Sequence, residues 1–243
     1  MHPIICHIGP VPLYSYGFML ASALLICSWL TARDAQKIGI PSDAVYDLSF
    51  WVVLFGIIGA RLFFILLNLD YFAANPLESV MFWKGGLAWQ GSMVLGLAAT
   101  FVYIKAKKLS LGKFLNVVAP YVALGQAIGR IGCLLNGCCY GKPASWGIYF
   151  PNFGERLQPT QIYMSLSELA IFLILRAVQP KVKRGGQLFI LYLLLASIER
   201  FFIEFARADH ENLWLGLSVF QYVCVTIFVL ATGVNLWLAR KAR

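Results

Sequence analysis

The stretch VVAPYVALGQAIGRIGCLLNGCCYGKP, residues 117–143, is apolar through residue 135 and then breaks into small, polar and thiol-bearing positions. About 20 mostly apolar residues cross a bilayer core as a helix, so the stretch reads as a membrane span that carries one charge, Arg130. A guanidinium at that depth costs about 2.5 to 3.5 kcal/mol on insertion scales, and therefore requires a buried anionic partner or a water-filled cavity. The glycines around Arg130 let backbone or ligand atoms approach closely. Fixed positive charge, open access and a lipid setting together point to a site for a phosphate-bearing lipid.

The rest of the chain agrees with this reading. Of its 243 residues 60% are hydrophobic and only 13% charged, whereas a soluble domain carries roughly 25% charged residues. Seven stretches are long and apolar enough to span, near 13–31, 48–69, 87–106, 117–135, 162–179, 187–206 and 215–239. Pro41, Pro76, Pro143, Pro151, Pro159, Pro180, Gly185 and Gly186 punctuate the intervals between them. The expected fold is an all-α integral membrane protein, a bundle of seven transmembrane helices forming one domain over residues 1–243. No basic region precedes the first apolar segment, so it reads as a retained helix rather than a cleavable signal peptide.

Cytoplasmic loops carry the excess of Lys and Arg. Arg33, Lys37, Lys105, Lys107, Lys108, Lys113, Lys181, Lys183, Arg184, Arg240, Lys241 and Arg243 fall on one side, against Lys84, Lys142, Arg156 and Arg207 on the other. The N-terminus is thus expected outside and the C-terminus in the cytosol. The same asymmetry explains the net charge of +9 as attraction to anionic headgroups, without a nucleic-acid partner.

Arg61, Arg130, Arg176 and Arg200 lie within predicted spans. Arg176 is near a helix end and is expected to reach the headgroups. Arg61 lies deeper, and an ion pair with Glu199 or Glu204 is its expected structural role. Arg200, Glu204 and Arg207 are spaced four and three apart, so they share one helix face, expected to line a cavity. Gln90 stands at the outer end of a helix, after Gly85-Gly86, and Pro159-Thr160-Gln161 reads as a helix start capped by the threonine or proline. Cys6, Cys27 and Cys224 are isolated. Cys133, Cys138 and Cys139 form C-x4-C-C, without the C-x2-C spacing or paired histidines of ordinary zinc sites, so no metal is expected; a disulfide among them stays open.

Taken together these residues resemble the prolipoprotein diacylglyceryl transferase family, a group of seven-helix bacterial membrane enzymes. The likeness runs in order through Ile8-Gly9-Pro10 and Tyr14-Ser15-Tyr16-Gly17, Gly59-Ala60-Arg61, Asn75-Pro76 with Gly85-Gly86, Gly129-Arg130, Pro159-Thr160-Gln161, and Arg200 to Arg207. The resemblance implies transfer of the diacylglyceryl group of phosphatidylglycerol to the lipobox cysteine thiol of a prolipoprotein signal peptide, at the bacterial inner membrane and without a cofactor. By the same likeness Arg130 and Arg200 match essential arginines, Tyr16 a first-helix tyrosine, Arg61 a second-helix arginine and Glu204 a glutamate of the penultimate helix. Gln90 joins Arg130, Arg200, Glu204 and Tyr16 as an expected catalytic residue. Arg130, Arg200, Arg61, Arg207 and Asn136 are the expected headgroup ligands.

Departures also stand out. Many members have His or Tyr where this chain has Gln90, Asn at Cys133, an acidic residue at Cys138 in some, His at Gln158, and Glu at Met164. Gln90 takes no proton, which excludes a histidine-base mechanism at that position. A thiol of pKa near 8.5 is already a few per cent thiolate at neutral pH and nearby arginines lower that pKa, so the reaction can run without a dedicated base; Glu204, unless committed to Arg200 or Arg207, is the substitute proton acceptor, and His210 a less direct one. Two rivals fit the same residues: a paralogue with another acceptor or lipid, and a lipid transporter that binds without chemistry.

Overall fold

In the computed structural model, which describes residues 1–9, 11–81, 85–208 and 213–241, each apolar stretch forms a helix, and short hairpins form ahead of the first helix and in the long interval 136–160. The long helices are α1 (Ser15–Gln36), α2 (Ser42–Leu67), α4 (Trp89–Ala106), α5 (Leu111–Asn136), α6 (Thr160–Val178), α7 (Gln187–Glu204) and α8 (Val219–Lys241), with a short α3 (Leu69–Ala74) after α2. Five of them, α1, α2, α5, α6 with its following turn, and α8, are long and apolar enough to cross a membrane. The other two are 18 residues each: α7 carries Glu199, Arg200 and Glu204, and α4 carries Gln90 and Lys105. Lys84, His210 and Arg243, used in the topology and proton-acceptor expectations, lie outside the described residues.

The chain forms two compact units, residues 32–111 and residues 1–31 with 112–243. In the first, α2 packs on α4 with almost no space between backbones. A Cβ at Gly59 would strike the Gly91 carbonyl, and a Cβ at Gly91 would strike the Gly59 carbonyl. Only glycine permits that approach, and it lets Ala88 N–H donate to the Ala60 carbonyl at 3.0 Å.

In the second unit, α5, α6 and α7 meet over Ala119, Ala123, Ile171, Leu175, Leu188 and Tyr192, all buried. Asn116 on α5 fixes the start of α7, donating to the Arg184 carbonyl at 2.7 Å and accepting from Leu188 N–H at 3.0 Å. Outward positions stay apolar, among them Leu166, Leu173, Phe202, Val229 and Leu230. Exposed apolar area on this scale marks a membrane surface.

Two hairpins were absent from the sequence reading. Strand β1 (Ile4–Ile8) pairs with β2 (Val11–Tyr14) ahead of α1, and β3 (Pro143–Phe150) with β4 (Glu155–Leu157) inside the long 136–160 loop. β3 gives no clean alternation because only Gly147 and Phe150 are buried along it, so the period-2 signal of a half-buried strand is missing.

Candidate functional site

The site is built where α5 ends, α6 begins and α7 ends. Two adjacent carbonyls of the cysteine loop accept from the start of α6: Thr160 Oγ1 donates to the Cys139 carbonyl at 2.7 Å and Gln161 Nε2 to the Cys138 carbonyl at 2.6 Å. Gly141 N–H donates to the Gln158 carbonyl at 2.9 Å, Lys142 N–H to the Ala206 carbonyl at 2.8 Å, and Gly141 bridges to Arg207. A Cβ at Gly141 would collide with the Ala206 carbonyl, Gln158 and Thr160. The Pro159-Thr160-Gln161 motif therefore pins the cysteine loop. Of the two residues expected near the cap, Pro159 occupies the cap position, without a side-chain bond, and the Thr160 hydroxyl is spent on Cys139.

Arg130, on the last third of α5, lines an open cavity of about 410 Å³ with Tyr16, Cys27, Gln126, Gly129 and Cys133. Among the described residues its guanidinium makes no hydrogen bond or ion pair, although Glu168 and Glu199 lie within its electrostatic reach. Tyr16, 42% exposed in the first turn of α1, comes to this wall because Gly132 leaves room for it: a Cβ there would sit 3.3 Å from the Tyr16 ring.

Arg200 presents the opposite arrangement. Its Nη2 lies 2.6 Å from Glu204 Oε2, its Nη1 3.8 Å from the sulfur of Met164, and its guanidinium stacks 5.1 Å over Phe220. Glu204 is fully buried, accepts from Ser218 Oγ at 2.8 Å, and lies 3.9 Å from Arg207 Nε. Arg207 is 8% exposed. Glu204 is thus committed to two guanidiniums, the condition under which it does not stand in as proton acceptor. Arg200 also feels the charges of Arg207 and Arg130, so the three cations form one positive region.

Two acids were not singled out as site residues. Glu168, 2% exposed, leaves Oε2 without a hydrogen-bond partner among the described residues, and Glu199 accepts from Ser167 Oγ at 2.7 Å. A signal existed: both are carboxylates inside apolar helices, which by default mark function or pairing.

Arg61 overturns its expected ion pair. Its Nε donates to the Ser79 carbonyl at 2.9 Å, its Nη1 to the Gly85 and Gly86 carbonyls at 2.7 and 3.0 Å, and its Nη2 to the Glu78 carbonyl. Four of its five N–H groups are used within its own unit, so it clamps the segment between α3 and α4 and has little left for a headgroup. Gln90 is exposed at the second position of α4 in that unit. Arg176 donates to Tyr121 Oη at 3.1 Å and Gln179 Oε1 at 2.7 Å, at the end of α6 where headgroup contact was expected.

Asn136 ends α5 with its side chain on the Cys138 thiol. Cys133, Cys138 and Cys139 come together, all three Sγ atoms within 4.8 Å of one another, because Gly137 and Cys139 both take positive φ, 76° and 62°. Hydrogen bonds from Cys133 and Cys138, aided by the charges of Arg207 and Arg130, hold the Cys139 thiol well below its ordinary pKa. The arrangement offers preorganised guanidiniums for a phosphate, carboxylates that balance them, and a set of thiols at the edge.

The family model described as prolipoprotein diacylglyceryl transferase matches residues 3–237. The chain is 33% identical to the phosphatidylglycerol--prolipoprotein diacylglyceryl transferase of Geobacillus kaustophilus (strain HTA426), over 99% of this chain and 93% of that protein. It is 32% identical to the protein of that name from Staphylococcus xylosus, over 99% and 90%, and 33% identical to that of Staphylococcus aureus (strain JH9), over 94% and 86%.

Proposed function

The chain belongs to the prolipoprotein diacylglyceryl transferase family, and from that premise we propose that it transfers the diacylglyceryl group of phosphatidylglycerol to the lipobox cysteine thiol of a prolipoprotein. A thioether forms and glycerol phosphate leaves. The observation that carries this reading is Arg130: a guanidinium without a hydrogen bond or ion pair among the described residues, on a cavity shared with Tyr16, in the positive region of Arg200 and Arg207.

The chemistry follows from the charges. When the thiolate sulfur attacks the glyceryl carbon, the C–O bond breaks and its electron pair stays on the phosphate. Guanidiniums already in place in a water-poor site stabilise that growing charge without reorganising. Arg130 has the planar fork that takes two phosphate oxygens. Glu204 holds Arg200 and Arg207 beside it as a positioning residue, Tyr16 orients the donor, and Asn136 serves as a weaker polar contact. The displacement is redox neutral and needs no electron or group carrier.

In this reading the two compact units are one membrane-embedded domain in the bacterial cytoplasmic membrane, with seven spans, the N-terminus outside and the C-terminus in the cytosol. The basic asymmetry supports the orientation. Incubation of the purified protein with phosphatidylglycerol and a lipobox peptide tests the function. A peptide thioether carrying the diacylglyceryl group is expected. Lipid binding without product points to a transporter, and reaction with a different acceptor only points to a paralogue.

A further inference from the structure

The three thiols do something that the arginines do not require. They converge from a helix and a loop, and the loop is held open for them: Cys139 sits at φ 62°, a conformation that costs a non-glycine residue energy and persists only where surroundings enforce it. Thr160 and Gln161 enforce it through the Cys139 and Cys138 carbonyls. Cys133 lines the same cavity as Arg130 and Tyr16, so the cluster meets the site through that residue.

Zinc sites that do chemistry keep three protein ligands and leave the fourth position open. Tetrahedral zinc with Zn–S near 2.3 Å spaces its sulfurs by about 3.8 Å, and the three Sγ atoms here lie within 4.8 Å of one another, a gap that small side-chain rotations close. Zinc with three thiolates carries net negative charge, and Arg207 and Arg130 are both within electrostatic reach of Cys139 to offset it. The unusual C-x4-C-C spacing is no obstacle, because the left-handed Gly137 and Cys139 turn the chain back on α5.

We propose that Cys133, Cys138 and Cys139 hold a zinc ion whose fourth position takes the acceptor cysteine thiol, delivering it as thiolate beside the lipid phosphate bound by Arg130. This rests on the transferase reading above. On ligation the thiol proton is released to water. The sulfur lone pair then forms the S–C bond as the C–O bond to phosphate breaks, and the pair stays on the departing glycerol phosphate. The thioether product is a poor ligand and leaves the metal, which stays zinc(II) throughout. A metal that ionises the acceptor also removes the need for a proton-accepting side chain.

The test uses the full-length protein in detergent or nanodiscs. Elemental analysis should find about one zinc per chain in the protein as purified under reducing conditions, and Cys139→Ser and Cys138→Ser should each weaken affinity by at least about tenfold with unchanged helical circular dichroism. Cobalt(II) exchanged into the wild-type site should show thiolate charge-transfer bands that grow when a lipobox peptide is added and do not change with the Cys→Ser peptide. Stripping the metal from wild type by chelation should slow transfer at neutral pH by up to about thirtyfold, because only about 3% of a thiol of pKa near 8.5 is then ionised; the deficit should shrink as pH rises toward that value, and zinc should restore the rate. Absence of metal binding, a disulfide among the three cysteines in the active protein, or cobalt bands indifferent to the peptide each overturns the proposal. An unchanged rate after stripping overturns it and leaves the transferase reading intact. Cobalt bands that answer the peptide in a protein that never forms the thioether uphold thiol ligation and remove the transferase reading instead.

Discussion

Replacing Glu204 by Gln takes one negative charge from a point where two guanidiniums meet. Glu204 is fully buried, 2.6 Å from Arg200 and 3.9 Å from Arg207, and removing one partner of a buried pair costs about 3 to 5 kcal/mol through the charge left behind. Glutamine keeps the shape and can keep the Ser218 bond, worth about 0.5 to 1.5 kcal/mol, and the Arg200 side chain retains 19% exposure with some hydration. The expected loss is therefore at the low end, about 3 kcal/mol. Released from its partner, Arg200 also drifts from the phosphate position, which lowers turnover by about 10² to 10³, as for loss of one fixed charge-stabilising donor. The assay pairs thermal denaturation in detergent with a pH–rate profile. A lower melting temperature and a slower rate with the wild-type pH profile are expected. A variant that melts like wild type but loses a limb of the pH profile would show that Glu204 is the proton acceptor, and the positioning argument would fail.

Arg61→Ala removes four hydrogen bonds to loop carbonyls, so it should destabilise the protein by several kcal/mol at about 1 kcal/mol each while leaving the apparent affinity for phosphatidylglycerol nearly unchanged in whatever fraction folds; a selective rise in lipid KM would return Arg61 to the headgroup. Gln90→Ala should lower the rate only threefold to tenfold, the loss of one neutral hydrogen bond of about 0.5 to 1.5 kcal/mol, and a loss of a thousandfold or more would assign Gln90 a role in the chemistry. Single-cysteine labelling in a background that keeps Cys133, Cys138 and Cys139 blocked should find position 142 reactive from outside and positions 107 and 183 from the cytosol; reaction of all three from one side contradicts the topology.

Helix positions were legible because apolar length alone specifies them, although α5 begins at Leu111, ahead of the apolar run near 117–135. The β3–β4 hairpin was not, since burial along it lacks a two-residue period. At the site, Arg130 and Arg200 stood out as charges in apolar surroundings, and spacing alone joined Arg200, Glu204 and Arg207. Distances across the fold were hidden: that Thr160 and Gln161 hold the cysteine loop, that Glu168 lies within electrostatic reach of Arg130, and that Arg61 turns to carbonyls in its own unit depend on contacts far apart in sequence. Cys133, Cys138 and Cys139 show the limit most clearly. Their spacing argues against a metal, yet two left-handed residues bring the sulfurs together.

The central claim is that Arg130 holds the phosphate of the donor lipid with a bidentate guanidinium, and the measurement that tests it most directly is thioether formation by Arg130→Lys beside wild type, with phosphatidylglycerol and a lipobox peptide. Lysine keeps the charge but is a single compact ammonium, so the account predicts a protein that inserts and folds normally and loses about 10² to 10³ in turnover. Turnover near that of wild type would contradict it.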